Sequence, residues 1–350
     1  MAELLANHTT LRVGGPVADF VVATTEAELV SAVRDADDRG QPLLVLGGGS
    51  NVLVSDSGFD GRVVAVRSAG VQSDADACGG AVARVAAGEV WDGFVTRAVG
   101  QGWIGVEALS GIPGLVGATP IQNVGAYGQE VAETICSVRA VERGAWRTRE
   151  LSPRDCGFGY RDSTFKREPG RFVVLGVTFG LRPGAAPALR YRELGEALAG
   201  HPAPTLADAR AAVLALRARK SMLVTAGDPN RRSVGSFFMN PILDAEEADR
   251  VAARAGEDGA RMPRWPAGDR RVKLSAGWLI ERSGIAKGLR RGPVGVSTAH
   301  ALALVHHGGG TTAALLALAR EIQETVRTRF AVTLVPEPIF LGLSWNPASG

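Results

Sequence analysis

Short apolar runs alternate with stretches of helical spacing along this chain, and charged or glycine-rich segments separate them, which predicts an α+β protein. Asp19-Phe20-Val21-Val22-Ala23 reads as a strand, Glu26 to Asp37 as a helix with an apolar stripe at Leu29, Val30 and Val33, and Pro42-Leu43-Leu44-Val45-Leu46 as a buried strand. Thr24 or Thr25 is placed to cap that helix. Strand-like runs dominate from Arg62 to Phe179, including Val82 to Ala87 and Phe172 to Phe179, with a helix near Trp91 to Gln101. Arg182-Pro183-Gly184-Ala185-Ala186-Pro187-Ala188 has the composition of a linker, and Leu206 to Lys220 beyond it reads as helix. Gly268 to Ser283 reads as an apolar helix bearing Leu274, Ala276, Trp278, Leu279 and Ile280. Gly308-Gly309-Gly310 reads as a turn into a long amphipathic helix from Thr311 to Phe330, whose Arg327 and Arg329 sit where the helix dipole favours positive charge.

Two glycine-rich stretches suggest a ligand. Gly47-Gly48-Gly49-Ser50-Asn51 leads into the strand-like Asn51-Val52-Leu53-Val54, and Ser110-Gly111-Ile112-Pro113-Gly114 runs on to Asn123-Val124-Gly125-Ala126-Tyr127-Gly128. Glycines let the backbone approach a ligand and adopt positive φ, so that successive N–H groups can converge on a pyrophosphate. The first stretch opens no helix and carries no Gly-Lys-Ser or Gly-Lys-Thr, so it is neither a dinucleotide fingerprint nor a phosphate loop. Taken alone, it is equally a tight turn between strands.

Leu46-Gly47-Gly48-Gly49-Ser50-Asn51-Val52-Leu53 and Gly111-Ile112-Pro113-Gly114 resemble the flavin loops of the UDP-N-acetylenolpyruvoylglucosamine reductase family, which has an FAD fold of the vanillyl-alcohol-oxidase class. The resemblance extends in the family's order through Tyr160-Arg161-Asp162-Ser163, Gly235 to Pro241, Lys273 to Ile280 and Pro336-Glu337-Pro338, nearly the whole chain. It implies a two-lobed FAD-binding module of the vanillyl-alcohol-oxidase (PCMH) type plus a C-terminal α+β substrate-binding domain. The implied boundaries are 1–67 for the first lobe, 68–222 with 331–350 for the second, and 223–330 for the substrate domain. Non-covalent FAD would be held by Leu46, Gly47, Gly48, Gly49, Ser50 and Asn51, and by Ser110, Gly111, Pro113, Gly114, Thr119, Gln122, Asn123, Gly125 and Ala126.

In the implied reaction NADPH reduces FAD, and UDP-N-acetylglucosamine enolpyruvate takes hydride from flavin N5 at its vinyl carbon. The product is UDP-N-acetylmuramate, for peptidoglycan precursor synthesis in cell-wall biogenesis. Matching positions make Ser236 the proton donor to the neighbouring carbon, with Arg161 and Glu337 stabilising the enolate-like intermediate. Each has a plainer alternative. A serine beside Phe237 and Phe238, which would wall a dry pocket, is by default a turn residue or cap; Arg161 has Asp162 and Asp155 as surface ion-pair partners; Glu337, between two prolines, could form a structural salt bridge. For the UDP end the resemblance points to Tyr127, Tyr191, Lys220, Asn240 and His300, with Lys273 weaker. Tyr191 matches the mobile tyrosine loop of the family's longer form, and family members differ at His300. Lys220, beside Arg217 and Arg219, is otherwise an ordinary solvated face.

The formal charge of +3 on 350 residues is small and the basic residues are scattered, so nucleic-acid binding is not inferred. Cys78, Cys136 and Cys156 are odd in number and lack Cys-x-x-Cys spacing, which indicates neither a disulfide framework nor a zinc site and suits a reducing cytoplasm. No metal site is assigned, and His306 and His307 read as structural or exposed. No apolar run approaches the roughly 20 residues of a membrane span, and Met1 to His8 lacks a leader pattern, so a soluble cytoplasmic protein without a membrane partner is expected. A monomer is expected from the family alone. Two rivals remain: an alcohol-oxidising FAD enzyme of the same fold class, which would lack the Ser236, Arg161 and Glu337 set, and a non-catalytic binding protein. Such oxidases often tether flavin through His or Cys near the loops, and neither flavin-loop segment here contains one.

Overall fold

The computed structural model describes residues 2–76, 80–184 and 186–345, Asp76 by its backbone alone. The chain divides into two compact units. A central unit consists of Ala18–Gly48 and Asp60–Leu223, and a terminal unit of Met1–Val17, Gly49–Phe59 and Val224–Gly350.

In the central unit, a three-stranded sheet has the order Val17–Ala23, Phe59–Val66, Leu43–Leu46, and the last two strands are parallel. Leu46 is buried, while the other three residues of its strand are half-buried, less than their apolar run predicts. Helix Glu26–Asp38 buries Leu29, Val33 and Ala36, and Thr25 caps it by accepting the Glu28 amide. Thr24 has a different part, giving its amide and hydroxyl to the Glu28 carboxylate at 2.7 and 2.8 Å.

A larger antiparallel sheet has the order Arg147–Leu151, Ile135–Glu142, Phe172–Pro183, Gly80–Ala86, Val71–Asp76. Strand alternation decides its faces. Val177 stands between Val138 and Val85, all buried, while the next residue, Thr178, pairs with Ser137 and Arg84 on the polar side. Helix Trp91–Gly100 covers the apolar face, with Trp91 and Phe94 packed on Phe179 at ring-centroid distances of 5.8 and 4.9 Å. The central strand runs to Pro183, pairing Arg182 and Pro183 with Ile104 and Trp103, so the first two residues of the expected linker are strand. Proline is tolerated there because a strand's last residue need not donate to the ladder. Helix Leu206–Arg219 begins at a capping box of Thr205 and Asp208 and buries Ala209, Val213 and Leu216 with Ala108, Leu194 and Leu198.

In the terminal unit, Val52–Val54 pairs in parallel with Ile339–Leu341. Helix Thr312–Phe330 is capped by Thr311, and the Asp56 carboxylate accepts the Thr312 and Ala313 amides at 2.7 and 2.9 Å. The apolar helix expected from Gly268 to Ser283 is a strand, Arg271–Leu274, followed by a helix, Ala276–Arg282. The break is local: Ser275 caps the helix by accepting the Trp278 amide, and Val272 and Lys273 pair on both sides with neighbouring strands. Phe237, Phe238, Leu279, Ile280 and Phe330 form the core of this unit.

His306 is buried there. Its Nδ1 lies 2.9 Å from the Leu11 carbonyl and its Nε2 accepts the Gly310 amide at 3.0 Å, an arrangement that requires the neutral ring with its hydrogen on Nδ1. Burial chiefly pushes its pKa down. Cys136 is exposed and Cys156 buried, both with free thiols, and burial pushes the Cys156 thiol up to about 12. Cys78 lies outside the described residues. Among the described residues no helix is long and apolar enough to cross a membrane.

Candidate active site

In the central unit the two glycine-rich stretches meet. A Cβ on Gly48 would stand 2.9 Å from the Gly114 Cα, so only glycine permits this approach. The amides of Gly47, Gly48 and Gly49 meet no acceptor among the described residues. Successive bare amides with no side chain over them fit an anion such as the pyrophosphate of FAD. Not every predicted contact offers its polar group in this way. The Gly111 amide is given to the Asp92 carboxylate at 2.6 Å, the Ser110 hydroxyl to the Glu107 carbonyl at 2.6 Å, and the Thr119 hydroxyl to the Val116 carbonyl at 2.8 Å. Leu46 is buried, so its side chain belongs to the core.

Asn123 is held on three sides: Nδ2 donates to Glu130 and to the Gly159 carbonyl at 2.7 and 2.9 Å, and Oδ1 accepts the Ala132 amide at 3.2 Å. Its own carbonyl accepts Arg161 Nη1 at 3.1 Å, and the Gly125 carbonyl accepts Arg161 Nη2. Arg161 has φ +53°, and the Glu130 carboxylate lies 4.0 Å from its Nη1. The two acids suggested as its ion-pair partners are engaged elsewhere, Asp162 with Arg167 and Asp155 in the cap at Ser152. The guanidinium plane is thus fixed against the second glycine-rich stretch.

A second group in the same unit joins Tyr127, Tyr191 and Lys220. The two rings meet edge to face at 5.5 Å, and Lys220 Nζ lies 5.6 Å from the Tyr127 centroid and 2.5 Å from Glu193. Burial pushes the Tyr127 phenol up to about 12 and raises that of Tyr191, so both hydroxyls stay protonated donors.

In the terminal unit the backbone of Gly49, at φ +63°, lies against the His8 carbonyl, and the Thr10 amide donates to the Gly49 carbonyl at 3.0 Å. Ser236 and Glu337 stand on one short ladder. Ser236 bridges Ala303, Phe238 bridges Pro336, the Phe237 amide donates to Leu302 at 2.8 Å, and the Glu337 amide donates to Phe237 at 2.8 Å. Phe237 and Phe238 are fully buried, so the apolar wall expected beside half-buried Ser236 is the core itself. His300 lies in the turn before Ala303, its Nδ1 accepting the Leu302 amide at 3.3 Å. Asn240 Oδ1 accepts the Ala276 amide at 2.9 Å, and Lys273 Nζ stands 6.0 Å from the Trp265 centroid.

Sequence reasoning missed the residues that brace these loops. Asp92 is clamped by Arg210 through two bonds of 2.7 Å while it holds Gly111. Buried Glu107 accepts Gln129 Nε2 at 2.7 Å and the Gly105 amide at 2.8 Å. Asn230 and Thr298 exchange bonds of 2.9 and 3.1 Å just ahead of Ser236 and His300 in the chain. Only the last had a local sign, the turn-forming Asp228-Pro229-Asn230.

A model of an FAD binding domain matches residues 17–145, and one of the C-terminal domain of UDP-N-acetylenolpyruvoylglucosamine reductase matches residues 228–341. The chain is 51% identical over 348 residues to the UDP-N-acetylenolpyruvoylglucosamine reductase of Thermobifida fusca, covering 97% of both chains. It is 51% identical over 348 residues to that of Salinispora arenicola, covering 96% of this chain and 94% of the other. The crystal structure of the reductase from Thermus caldophilus superposes with a TM-score of 0.67 at 27% identity, covering 97% of this chain and 98% of that one.

Proposed function

Since the chain belongs to the UDP-N-acetylenolpyruvoylglucosamine reductase family, as an FAD-dependent oxidoreductase, we propose that it uses NADPH to reduce UDP-N-acetylglucosamine enolpyruvate to UDP-N-acetylmuramate, with Ser236 as proton donor. The observation that carries the assignment of roles is the backbone pairing at Ser236 and Glu337: Ser236 bridges Ala303, and the carbonyl of the next residue, Phe237, accepts the Glu337 amide. The chemistry that FAD supplies when bound is hydride transfer between NADPH and the vinyl carbon of the substrate.

The chain's own residues supply position and charge. Ser236 Oγ gives its proton to the carbon next to the one that receives hydride. A hydroxyl is a weak acid, so this step needs charge stabilisation in a water-poor site. Glu337, as the protonated acid, donates a hydrogen bond to the enolate-like intermediate. Arg161 spends one hydrogen of each terminal nitrogen on the Asn123 and Gly125 carbonyls, which orients its five-donor group for the substrate carboxylate. Tyr127, Tyr191 and Lys220 form a donor cluster suited to a pyrophosphate, and Asn240, Lys273 and His300 are the corresponding group of the terminal unit.

The test separates the two half-reactions. Anaerobic NADPH should bleach the flavin of Ser236→Ala at the wild-type rate, while reoxidation by the enolpyruvyl substrate slows about 10²- to 10⁴-fold, the usual contribution of general acid catalysis. Reoxidation of Ser236→Ala within about threefold of wild type would remove Ser236 from the reaction.

A further inference from the structure

Pro336 and Pro338 have no amide hydrogens, so the main chain from Pro336 to Ile339 offers only the donors of Glu337 and Ile339. The Glu337 amide goes to the Phe237 carbonyl at 2.8 Å, and the Ile339 amide to the Asn51 carbonyl at 3.0 Å. A third tie comes from a side chain: Asn51 Nδ2 donates to the Glu337 carbonyl at 3.3 Å across 286 positions of sequence. Glu337 is therefore held through its amide to the strand of Ser236 and through its carbonyl to the last residue of the first glycine-rich stretch. From there Val52–Val54 and Ile339–Leu341 continue as paired strands.

We propose that Asn51 is a positioning residue for Glu337, its amide fastening the Glu337 backbone so that the carboxyl keeps its place relative to Ser236. The residue type fits the task. The tie needs a donor on a short, stiff side chain, and an aspartate of the same size would set an oxygen against the Glu337 carbonyl. Only Ser50 separates Asn51 from Gly49, so a ligand that orders those glycines also orders the residue holding Glu337. The inference rests on the reading of Glu337 as a participant in the reaction.

Asn51→Ala, Asn51→Asp, Glu337→Ala and the double variant Asn51→Ala/Glu337→Ala, all as FAD-loaded enzymes, test it. Asn51→Ala, saturated with FAD, should speed hydrogen exchange at the Glu337 and Ile339 amides. Substrate reoxidation should slow about tenfold or more at saturating substrate, equivalent to about 1.4 kcal/mol. Asn51→Asp should slow it at least as much, and it supplies the answer if the alanine variant fails to fold. Once Glu337→Ala has removed the carboxyl group, adding Asn51→Ala should cost less than about threefold more, because the two act through one group. Reoxidation of Glu337→Ala within threefold of wild type would overturn the reading of Glu337 itself. Slow reoxidation of Glu337→Ala beside normal reoxidation of Asn51→Ala would overturn the positioning role alone. Additive effects in the double variant would also overturn it.

Discussion

Gly48→Ala isolates the close approach of the two glycine-rich stretches. Gly48 does not have a positive φ, so alanine there is not opposed by backbone conformation, and reduced freedom of the unfolded chain would by itself stabilise by about 0.4–1 kcal/mol. Sterics oppose it. The new Cβ would meet Gly114 Cα, C and N at 2.9, 3.4 and 3.7 Å, all backbone, against an optimal carbon–carbon separation of about 3.5–4.0 Å. One loop must retreat by roughly 0.6–1 Å, and overpacking of this kind costs about 1–3 kcal/mol. Gly47→Ala is the matched control. Its Cβ would find Ala118 Cβ at 3.7 Å and Leu115 Cδ1 at 4.0 Å, ordinary contact distances. Thermal or urea unfolding of the two apoproteins should therefore place Gly48→Ala about 1–2 kcal/mol below wild type and Gly47→Ala about 0.4–1 kcal/mol above it. Fluorescence titration with FAD should show a further loss for Gly48→Ala. Displacing one or two amides from a charged pyrophosphate costs about 1.5–3 kcal/mol each, so affinity should fall by roughly 10- to 10⁴-fold. A Gly48→Ala protein as stable as Gly47→Ala, with FAD affinity within twofold of wild type, would refute the cradle.

Two further expectations concern the braces. Asp92→Ala strands the Gly111 amide and Arg210, and because the carboxylate is partly exposed the cost should be about 1–3 kcal/mol, measured by unfolding, with weakened FAD binding. Burial raises the Asp92 pKa, but hydrogen bonds from Arg210 and Gly111 outweigh it and hold the carboxyl below its ordinary 3.8; the stability it confers is present above that value and lost as pH falls through the folded one, and Asp92→Asn should flatten that acid limb. His306 has a folded pKa pushed below the ordinary 6.5, so its contribution is present above about pH 6.5 and lost as pH falls from there through the folded value. Unfolding at about pH 7.5 and about pH 5.5 should show a larger drop for wild type than for His306→Asn, with a residual drop from His307, whose pKa burial also lowers; equal drops would refute the neutral, doubly bonded ring.

Much of this molecule was legible from local rules. The glycines, the caps at Thr25 and Thr311, and the apolar stripe of Thr312–Phe330 act within a few residues, so spacing and residue type reveal them. The resemblance carried by the ordered motifs fixed the family, which the relatives bear out over nearly the whole chain. Local rules misread Gly268 to Ser283, because Arg271–Leu274 is a strand by virtue of its neighbours Ile242–Asp244 and Arg264–Pro266 rather than by its own composition. Tertiary structure alone brought Arg210 to Asp92 across 118 positions and Asn51 to Glu337 across 286, and it chose the tautomer of His306. Such bonds form only after the chain has closed large loops, a cost met by the burial of the whole core rather than by the pair. A local window of sequence therefore contains the residues but not the partner that gives each its role.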